Sequence, residues 1–467
     1  MRAEWATSGL DLFLRAAPEA GRRDGLERAL REAIRAGRLP AGTRLPASRG
    51  LARDIGVSRG TVTHAYAQLV AEGYLIGRHG SGTYVADRPL VPARTPAAPT
   101  GRGTDRVRHD LRPGTPDLTT FPRAAWLAAT RRVLNEAPAE AFGAADPAGR
   151  PELREALAAY LGRARGVVTA PERIVVCNGY AQAVTILCHV LAAQGRRGAF
   201  AFEDPSLPKL PAAARRAGLA TPTIPVDDEG ARIGDLRADA AVVTPAHQYP
   251  MGVTLSARRR GELVDWTRAT GGLLVEDDYD GEFRYDRQPV GALQGLAPER
   301  IVYAGTASKT ISPGLRLAWL ALPGHLVAPV AKAKSHLDRY SETLSQLVLA
   351  DLISSGGYDR HIRRCRTRYR HRRDRLVNAL AAGAPGLALT GIEAGLHALL
   401  PLPTPEAERQ AQSQARRAGL AVDALADYYA TPTPPRSGLV IGYGTPPEHG
   451  FTPAVDALLK SLHPLNT

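Results

Sequence analysis

Apolar positions in the first ninety or so residues recur at helical spacing. Leu26, Ala29, Leu30, Ala33 and Ile34 predict an amphipathic helix over 25–38. Gly37-Arg38-Leu39-Pro40 ends it. Leu51, Ala52 and Ile55 predict a short second helix after Leu45-Pro46, and Gly56 permits a tight turn. Ser58 is placed to cap a third helix that buries Val62, Ala65, Tyr66 and Leu69. The outward face at the start of that helix shows Arg59, Gly60, Thr61, Thr63 and His64. Beyond Gly73, two short strands at 74–76 and 83–85 flank a small basic hairpin, Gly77-Arg78-His79-Gly80-Ser81-Gly82.

The pattern then changes twice. Residues 87–108 are proline-rich with no apolar period, which predicts a flexible, partly extended linker. From 109 to 467, short runs rich in Val, Ala or Ile alternate with helical stretches: RIVVCNG, GAFAFEDP, AAVVTPAH, GGLLVEDDY and RIVYAGTAS. This alternation predicts a mostly parallel sheet with helices on its faces. Ligands of such sheets sit at the carboxyl ends of the strands, so the polar residues just after each run are the ones to read. The division is thus a head at 10–86, the linker, and a large α/β domain over 109–467 with a small C-terminal α/β subdomain.

Composition sharpens this picture. With 467 residues, 44% hydrophobic and 23% charged, the chain can bury a sizeable core in two or three domains. A net charge of +14 favours a polyanionic partner. Between 22 and 82 there are eleven Arg against five acids, so the head carries part of that surplus. The cysteines, Cys177, Cys188 and Cys365, form no metal or disulfide spacing, which predicts a reducing cytoplasm. There is no leader pattern and no long apolar run, so no membrane span is expected.

The head has the layout of a winged helix-turn-helix, in which the second helix of the motif enters the major groove of double-stranded DNA by its first residues. The wing's Arg and His can follow a phosphate backbone or reach a minor groove. A three-helix protein-interaction module is the alternative.

In the large domain, Lys309 stands directly after a strand in Gly305-Thr306-Ala307-Ser308-Lys309-Thr310, with Arg316 seven positions on. A lysine there suits Schiff-base chemistry with an aldehyde cofactor, whose phosphate Thr306, Ser308 and Arg316 would hold. The run ending in Glu276-Asp277-Asp278-Tyr279-Asp280 offers a carboxylate for a protonated pyridine nitrogen and a tyrosine for the ring's phenolic oxygen. Acidic clusters also bind metal ions, but no His or Cys neighbours this one, so no metal is expected. The segment from Asn178 to Gln182 runs from a strand into a helix whose first N–H groups can cradle a phosphate. His247 and Gln248, after another strand, could approach the ring or simply form a turn.

LPASRGLARDIGVSRGTVTHAYAQLVAEGYL and the wing GSGTYV resemble the signature of GntR-family bacterial regulators. That resemblance implies DNA contacts from Arg49, Arg59 and Thr63, with His79 and Gly80 at the wing tip; Thr61 shares the outward face. The later segments TPAHQYPMG, EDDYDGEFRY and GTASKTISPGLRLAW resemble fold-type I aminotransferases, and with such a head the chain is similar to the MocR group. The resemblance implies pyridoxal 5'-phosphate (PLP) as cofactor, with Lys309 as Schiff-base lysine, Asp277 at the pyridine nitrogen and Tyr279 at the ring hydroxyl. Thr306, Ser308 and Arg316 then surround the phosphate, with Ala181 and Gln182 at the helix start. It also implies a homodimer and a regulator that responds to PLP or an amino compound reacting with it.

Three positions depart from the pattern. Leu207 stands where an aromatic would stack on the ring, Leu439 where an Arg would clamp a substrate carboxylate, and 142–147 lacks the aromatic expected just before its Asp-Pro. These losses weaken the case for a dedicated amino-acid transaminase. Two alternatives stay open: a working transaminase with an accessory head, and a regulator whose large domain has lost the cofactor. The run Arg360–Arg375, with nine Arg in sixteen positions, reads as a solvated helix or as a second DNA-contacting patch.

Overall fold

A computed structural model describes residues 22–87, 107–194, 198–285 and 290–463. The chain divides into two compact units, Met1–Thr104 and Asp105–Thr467. Residues 10–21 of the expected head and 88–106 of the expected linker lie outside the described residues.

The first unit packs α1 (Arg22–Arg35), α2 (Ser48–Ile55) and α3 (Arg59–Ala71) beside the hairpin β1 (Leu75–Arg78) and β2 (Gly82–Val85). Its core joins Leu26, Leu30, Leu51, Val62, Leu69 and Val85, so each predicted apolar stripe faces inward. Helix α1 runs three residues ahead of its predicted bounds, because Gly37 turns left-handed (φ 72°) and the Leu39 N–H closes on the Ala33 carbonyl at 3.1 Å. Ser58 caps α3, its side chain accepting from the Thr61 N–H at 3.1 Å. The hairpin strands reach further than predicted, pairing Arg78 with Gly82, and leave His79-Gly80-Ser81 as the tip. Gly80 makes that turn with φ 77°.

The second unit runs β3 (His109–Asp110), α4 (Arg123–Glu136), α5 (Pro151–Arg165), β4 (Ile174–Cys177), α6 (Tyr180–Ala193), β5 (Phe200–Asp204), α7 (Lys209–Arg216), β6 (Thr223–Asp227), β7 (Gly230–Ala231) and β8 (Ala240–Val243). It continues through α8 (Ala257–Thr270), β9 (Leu273–Asp278), β10 (Ile301–Thr306), β11 (Ala318–Ala321), α9 (Gly324–Asp338), α10 (Leu344–Ser354) and α11 (Gly357–Gly383). Last come β12 (Ala398–Leu402), α12 (Pro405–Arg417), β13 (Leu420–Ala421), β14 (Asp423–Ala424), β15 (Ser437–Ile441) and α13 (Glu448–Leu462).

One eight-stranded sheet organises it, in the order β4-β11-β10-β9-β8-β5-β6-β7. The four pairs from β10 through β9, β8 and β5 to β6 are parallel. The antiparallel β11 lies between β10 and β4, a crossing the apolar runs alone do not announce.

Both faces are covered, which is why the strands read as continuous apolar runs rather than alternating ones. Val175, Phe202, Val275 and Val302 pack on one side with Ile186 and Leu187 of α6. Val243 and Leu274 face Leu263 and Trp266 of α8 on the other. A three-stranded sheet, β12-β15-β14, forms the expected small C-terminal subdomain.

Candidate functional site

The carboxyl ends of β4, β5, β8, β9 and β10 open on one cavity of about 630 Å³, within the ~300–1,000 Å³ usual for small-molecule sites. Lys309 reaches it from the turn after β10, and its Nζ donates to the Gly114 carbonyl. Burial pushes the amine's pKa down, while Asp277 and Asp280 pull it back up.

Strand alternation sorts the acidic run. Glu276 accepts backbone N–H bonds from Leu293 and Gln294 at 2.9 and 2.8 Å. Asp278 pairs with the buried Arg165 at 2.7 Å and accepts from the Tyr303 hydroxyl at 2.9 Å. Asp277 alone of the three lines the cavity. Burial raises its pKa to about 8, against the lowering effects of the Tyr180 phenol and Lys309.

That shift has a measurable sign. In the folded, cofactor-free chain Asp277 keeps its proton to about pH 8, whereas an unfolded Asp loses it near ~3.9. Between those values the folded state holds more protons, so stability falls as pH rises. Asp277→Asn removes this contribution. Its melting temperature is expected to fall less steeply than wild type's between about pH 5 and about pH 8. Equal slopes in differential scanning fluorimetry would mean that Asp277 ionises freely.

Tyr279 points its hydroxyl to the His247 carbonyl at 2.9 Å, and its oxygen lies 3.2 Å from His247 Nδ1. Thr306 accepts the Ser308 N–H at 3.1 Å and donates to the Leu317 carbonyl at 3.1 Å or to the Ser308 hydroxyl at 2.9 Å. Arg316, itself left-handed (φ 55°), lays its guanidinium across the start of α6 and donates to the Asn178 carbonyl at 2.7 Å. Gly179 makes room for it, since a Cβ there would run into the guanidinium. An Arg fork beside a helix N-terminus and two hydroxyls is a fitting set of donors for a phosphate. Together with the amine, the carboxyl and the phenol, these donors fit PLP.

Of the eight residues singled out for cofactor binding, seven line this cavity: Ala181, Asp277, Tyr279, Thr306, Ser308, Lys309 and Arg316. Gln182 does not. Its side chain accepts from the Asn178 N–H at 2.6 Å and donates to Asp338 at 2.7 Å, so it braces the turn before α6 instead.

Sequence reasoning assigned no role to Tyr180, Tyr249 or Tyr428, which also line the cavity. The Tyr249 and Tyr428 hydroxyls meet at 3.1 Å, and Tyr428 donates to Asp423 at 2.7 Å. The signal for Tyr249 was its place just after β8; Tyr428 comes from a distant 3-10 turn, Leu425–Tyr428, and had none. Leu207 sits in the cavity wall with an aliphatic surface. Leu439 is wholly buried, and Arg436 pairs with Asp228 at 2.8 Å.

The expectation that no histidine stands beside the acidic run needs correcting. The fold brings His247 and His397 to Asp280, all three buried. Sequence distance hid them, because one follows β8 and the other immediately precedes β12.

In the first unit, Arg49, Arg59, Thr63, His79 and Gly80 are exposed and Thr61 is half-buried. The Thr61 hydroxyl bonds the Ser58 hydroxyl at 2.9 Å, so it serves the cap. Arg78 stacks over Tyr84, 4.9 Å from the ring centre. Not every Arg of the head is free: Arg31 forks onto Glu72 at 2.9 and 2.8 Å, tying α1 to the end of α3.

The basic run forms part of α11 and is neither wholly solvated nor wholly a patch. Arg372 is 1% exposed and joins Asp117 to Glu448 at 2.8 and 3.0 Å. Arg366 donates twice to the Glu282 carbonyl. Arg363 and Arg370 are exposed, with no ion pair among the described residues.

Two family models match the chain. Residues 112–437 match aminotransferase class I and II, and residues 22–85 match bacterial regulatory proteins of the gntR family. The pyridoxine biosynthesis regulator PdxR of Corynebacterium glutamicum is 35% identical over 420 residues, covering 89% of this chain and 90% of that protein. The probable rhizopine catabolism regulatory protein MocR of Rhizobium meliloti is 36% identical, covering 73% of this chain and 74% of its own. Among solved structures, the multiple substrate aminotransferase of Thermococcus profundus superposes with a TM-score of 0.70 at 24% identity, covering 78% of this chain and 92% of its own. That likeness carries the fold of the second unit. The chain therefore belongs to the gntR family of bacterial regulatory proteins, as a MocR-type helix-turn-helix transcription regulator with an aminotransferase-like domain.

Proposed function

We propose that this regulator holds PLP in the cavity of its second unit, binds double-stranded operator DNA through its head, and changes its DNA affinity when PLP or a PLP-reactive amino compound occupies the cavity. One observation carries the reading: Lys309, Asp277, Tyr279, Thr306, Ser308 and Arg316, scattered over forty residues of sequence, converge on one cavity. When bound, the cofactor supplies an electrophilic carbon and an electron-accepting ring. The chain supplies a buried amine at Lys309, a carboxyl at Asp277, a phenol at Tyr279 and an anion cradle at Arg316. With Leu439 buried and Arg436 engaged by Asp228, neither residue offers a carboxylate clamp, which favours sensing over turnover.

The working form is a homodimer in the cytoplasm, with two heads reading paired half-sites. No helix among the described residues is long and apolar enough to cross a membrane. Arg49, Arg59, Thr61, Thr63, His79 and Gly80 form the DNA-contacting set, with Thr61 doing double duty in the cap.

The test measures anisotropy of a labelled duplex from the chain's own promoter region, with and without saturating PLP. A change in Kd of about fivefold or more is expected for a coupled site. An unchanged Kd, with PLP shown bound by absorbance, would strip the cavity of its sensing role.

A further inference from the structure

His247 and Asp280 form a sealed pair at the edge of the cavity. His247 is 2% exposed, its Nδ1 lies 2.9 Å from an Asp280 oxygen, and the Asp280 side chain is 1% exposed. A carboxylate only accepts, so Nδ1 carries the proton. Gly395, left-handed at φ 74°, lies over the pair, and a Cβ there would collide with both the imidazole and the carboxylate. The Tyr443 hydroxyl holds the carbonyls of Ala394 and Gly395, at 2.7 and 2.9 Å, and so fixes the lid in place. The histidine is thus locked in orientation and tautomer at some structural cost.

Tyr279 is what this pair touches toward the cavity. Its hydroxyl donates to the His247 carbonyl and its oxygen faces the same residue's Nδ1. One residue therefore grips the phenol at two points. Other groups also face Tyr279: Asp277 and Asp280 from its own strand end, Tyr249 from the loop after β8, Tyr443 after β15, and His397 just before β12, whose ring centre is 6.4 Å away. Burial, with His247 next in effect, holds the His397 pKa well below its ordinary value, so it adds no charge. Its Nε2 has no hydrogen-bond partner among the described residues. Among these groups, only His247 hydrogen-bonds the phenol.

We propose that His247, clamped by Asp280, is the positioning residue for Tyr279, aiming its hydroxyl at the phenolic oxygen of a bound pyridoxal ring. The inference rests on the cavity holding PLP. With the His247 Nδ1–H facing its oxygen, the phenol turns its one proton from the His247 carbonyl to the ring oxygen and favours the anionic form of that oxygen. Losing that bond raises the pH at which the visible or near-ultraviolet band of the lysine-linked cofactor titrates.

The experiment is an absorbance pH titration of full-length protein loaded with PLP, for wild type, His247→Leu, His247→Asn, Asp280→Asn, Tyr279→Phe and the double variant H247L/Y279F. A hydrogen bond to a charged group corresponds to about one pH unit or somewhat more. H247L and D280N are expected to raise the midpoint by about that much. H247N, whose amide nitrogen can occupy the Nδ1 position, should restore it. The double variant should match Y279F, because His247 acts through the phenol. An unmoved midpoint in H247L and D280N, no rescue by asparagine, or a further shift in the double variant would overturn the proposal. Absence of any band in wild type would overturn the cavity reading itself, and this inference with it.

Discussion

Lys309→Ala is expected to abolish the absorbance band of covalently held PLP and all borohydride-fixable cofactor, with far-ultraviolet circular dichroism and DNA binding without PLP unchanged. The reason lies in the environment of the amine. Lys309 lies largely buried at the cavity wall, where removing water disfavours its charged form. Asp277 and Asp280 oppose that effect without cancelling it, so the pKa stays lowered. A lowered pKa means a larger neutral, nucleophilic fraction at any given pH than an exposed lysine would have. Linkage to an aldehyde should therefore approach its full rate at a lower pH than for a free lysine.

Alanine removes the nucleophile and leaves the anion cradle of Arg316, Thr306 and Ser308 in place. The variant is therefore expected to retain weak, dialysable PLP with the spectrum of the free aldehyde. Folding should not suffer, since the substitution deletes a buried amine whose hydrogen bond goes to one loop carbonyl, that of Gly114. A dialysis-resistant band in the variant would mean that another amine carries the cofactor. No band in either protein would leave a cavity without covalent chemistry.

The sequence made the scaffold of this site readable because strand ends announce themselves. RIVVCNG, AAVVTPAH, GGLLVEDDY and RIVYAGTAS each became a buried strand that delivers polar residues to one edge. Asp277 could be separated from Glu276 and Asp278 in principle by period-two alternation, and the structure sorts them in that way. Gln182 shows where reading by proximity fails. It lies one position past the cavity wall, and Asp338, at the end of α9, draws its amide away. Arg372 shows the same for charge. In a run of nine arginines, nothing local marks the one that is buried between Asp117 and Glu448. His247, Asp280 and His397 meet only because β8, β9 and β12 fold together. Local pattern fixes which face a residue takes, whereas partners distant in the chain are set by tertiary packing.

Arg59→Ala is expected to weaken operator binding about tenfold, and Arg49→Ala with Arg59→Ala about a hundredfold, within the ~1–3 kcal/mol typical of a specific Arg contact. Arg59 is the first residue of α3, and the first turn of that helix holds no carboxylate. The positive end of the helix dipole lies at the same place, so an anion there meets both the guanidinium and the dipole. Arg49, near the start of α2, is likewise exposed. The two account for different parts of the affinity if one reads a base and the other a phosphate. Loss of a phosphate contact lowers the slope of log K against log salt by about 0.9, and loss of a base contact leaves that slope while relaxing sequence preference. Arg31→Ala serves as the control, because its guanidinium is committed to Glu72 at 2.8 Å. That change should lower the melting temperature of the head and leave the salt slope alone. Electrophoretic mobility or anisotropy titrations at several salt concentrations separate these outcomes. If R49A/R59A binds operator within about twofold of wild type, these two residues carry little of the binding energy. The recognition surface would then have to be sought at the wing, where His79 and Gly80 form the exposed tip.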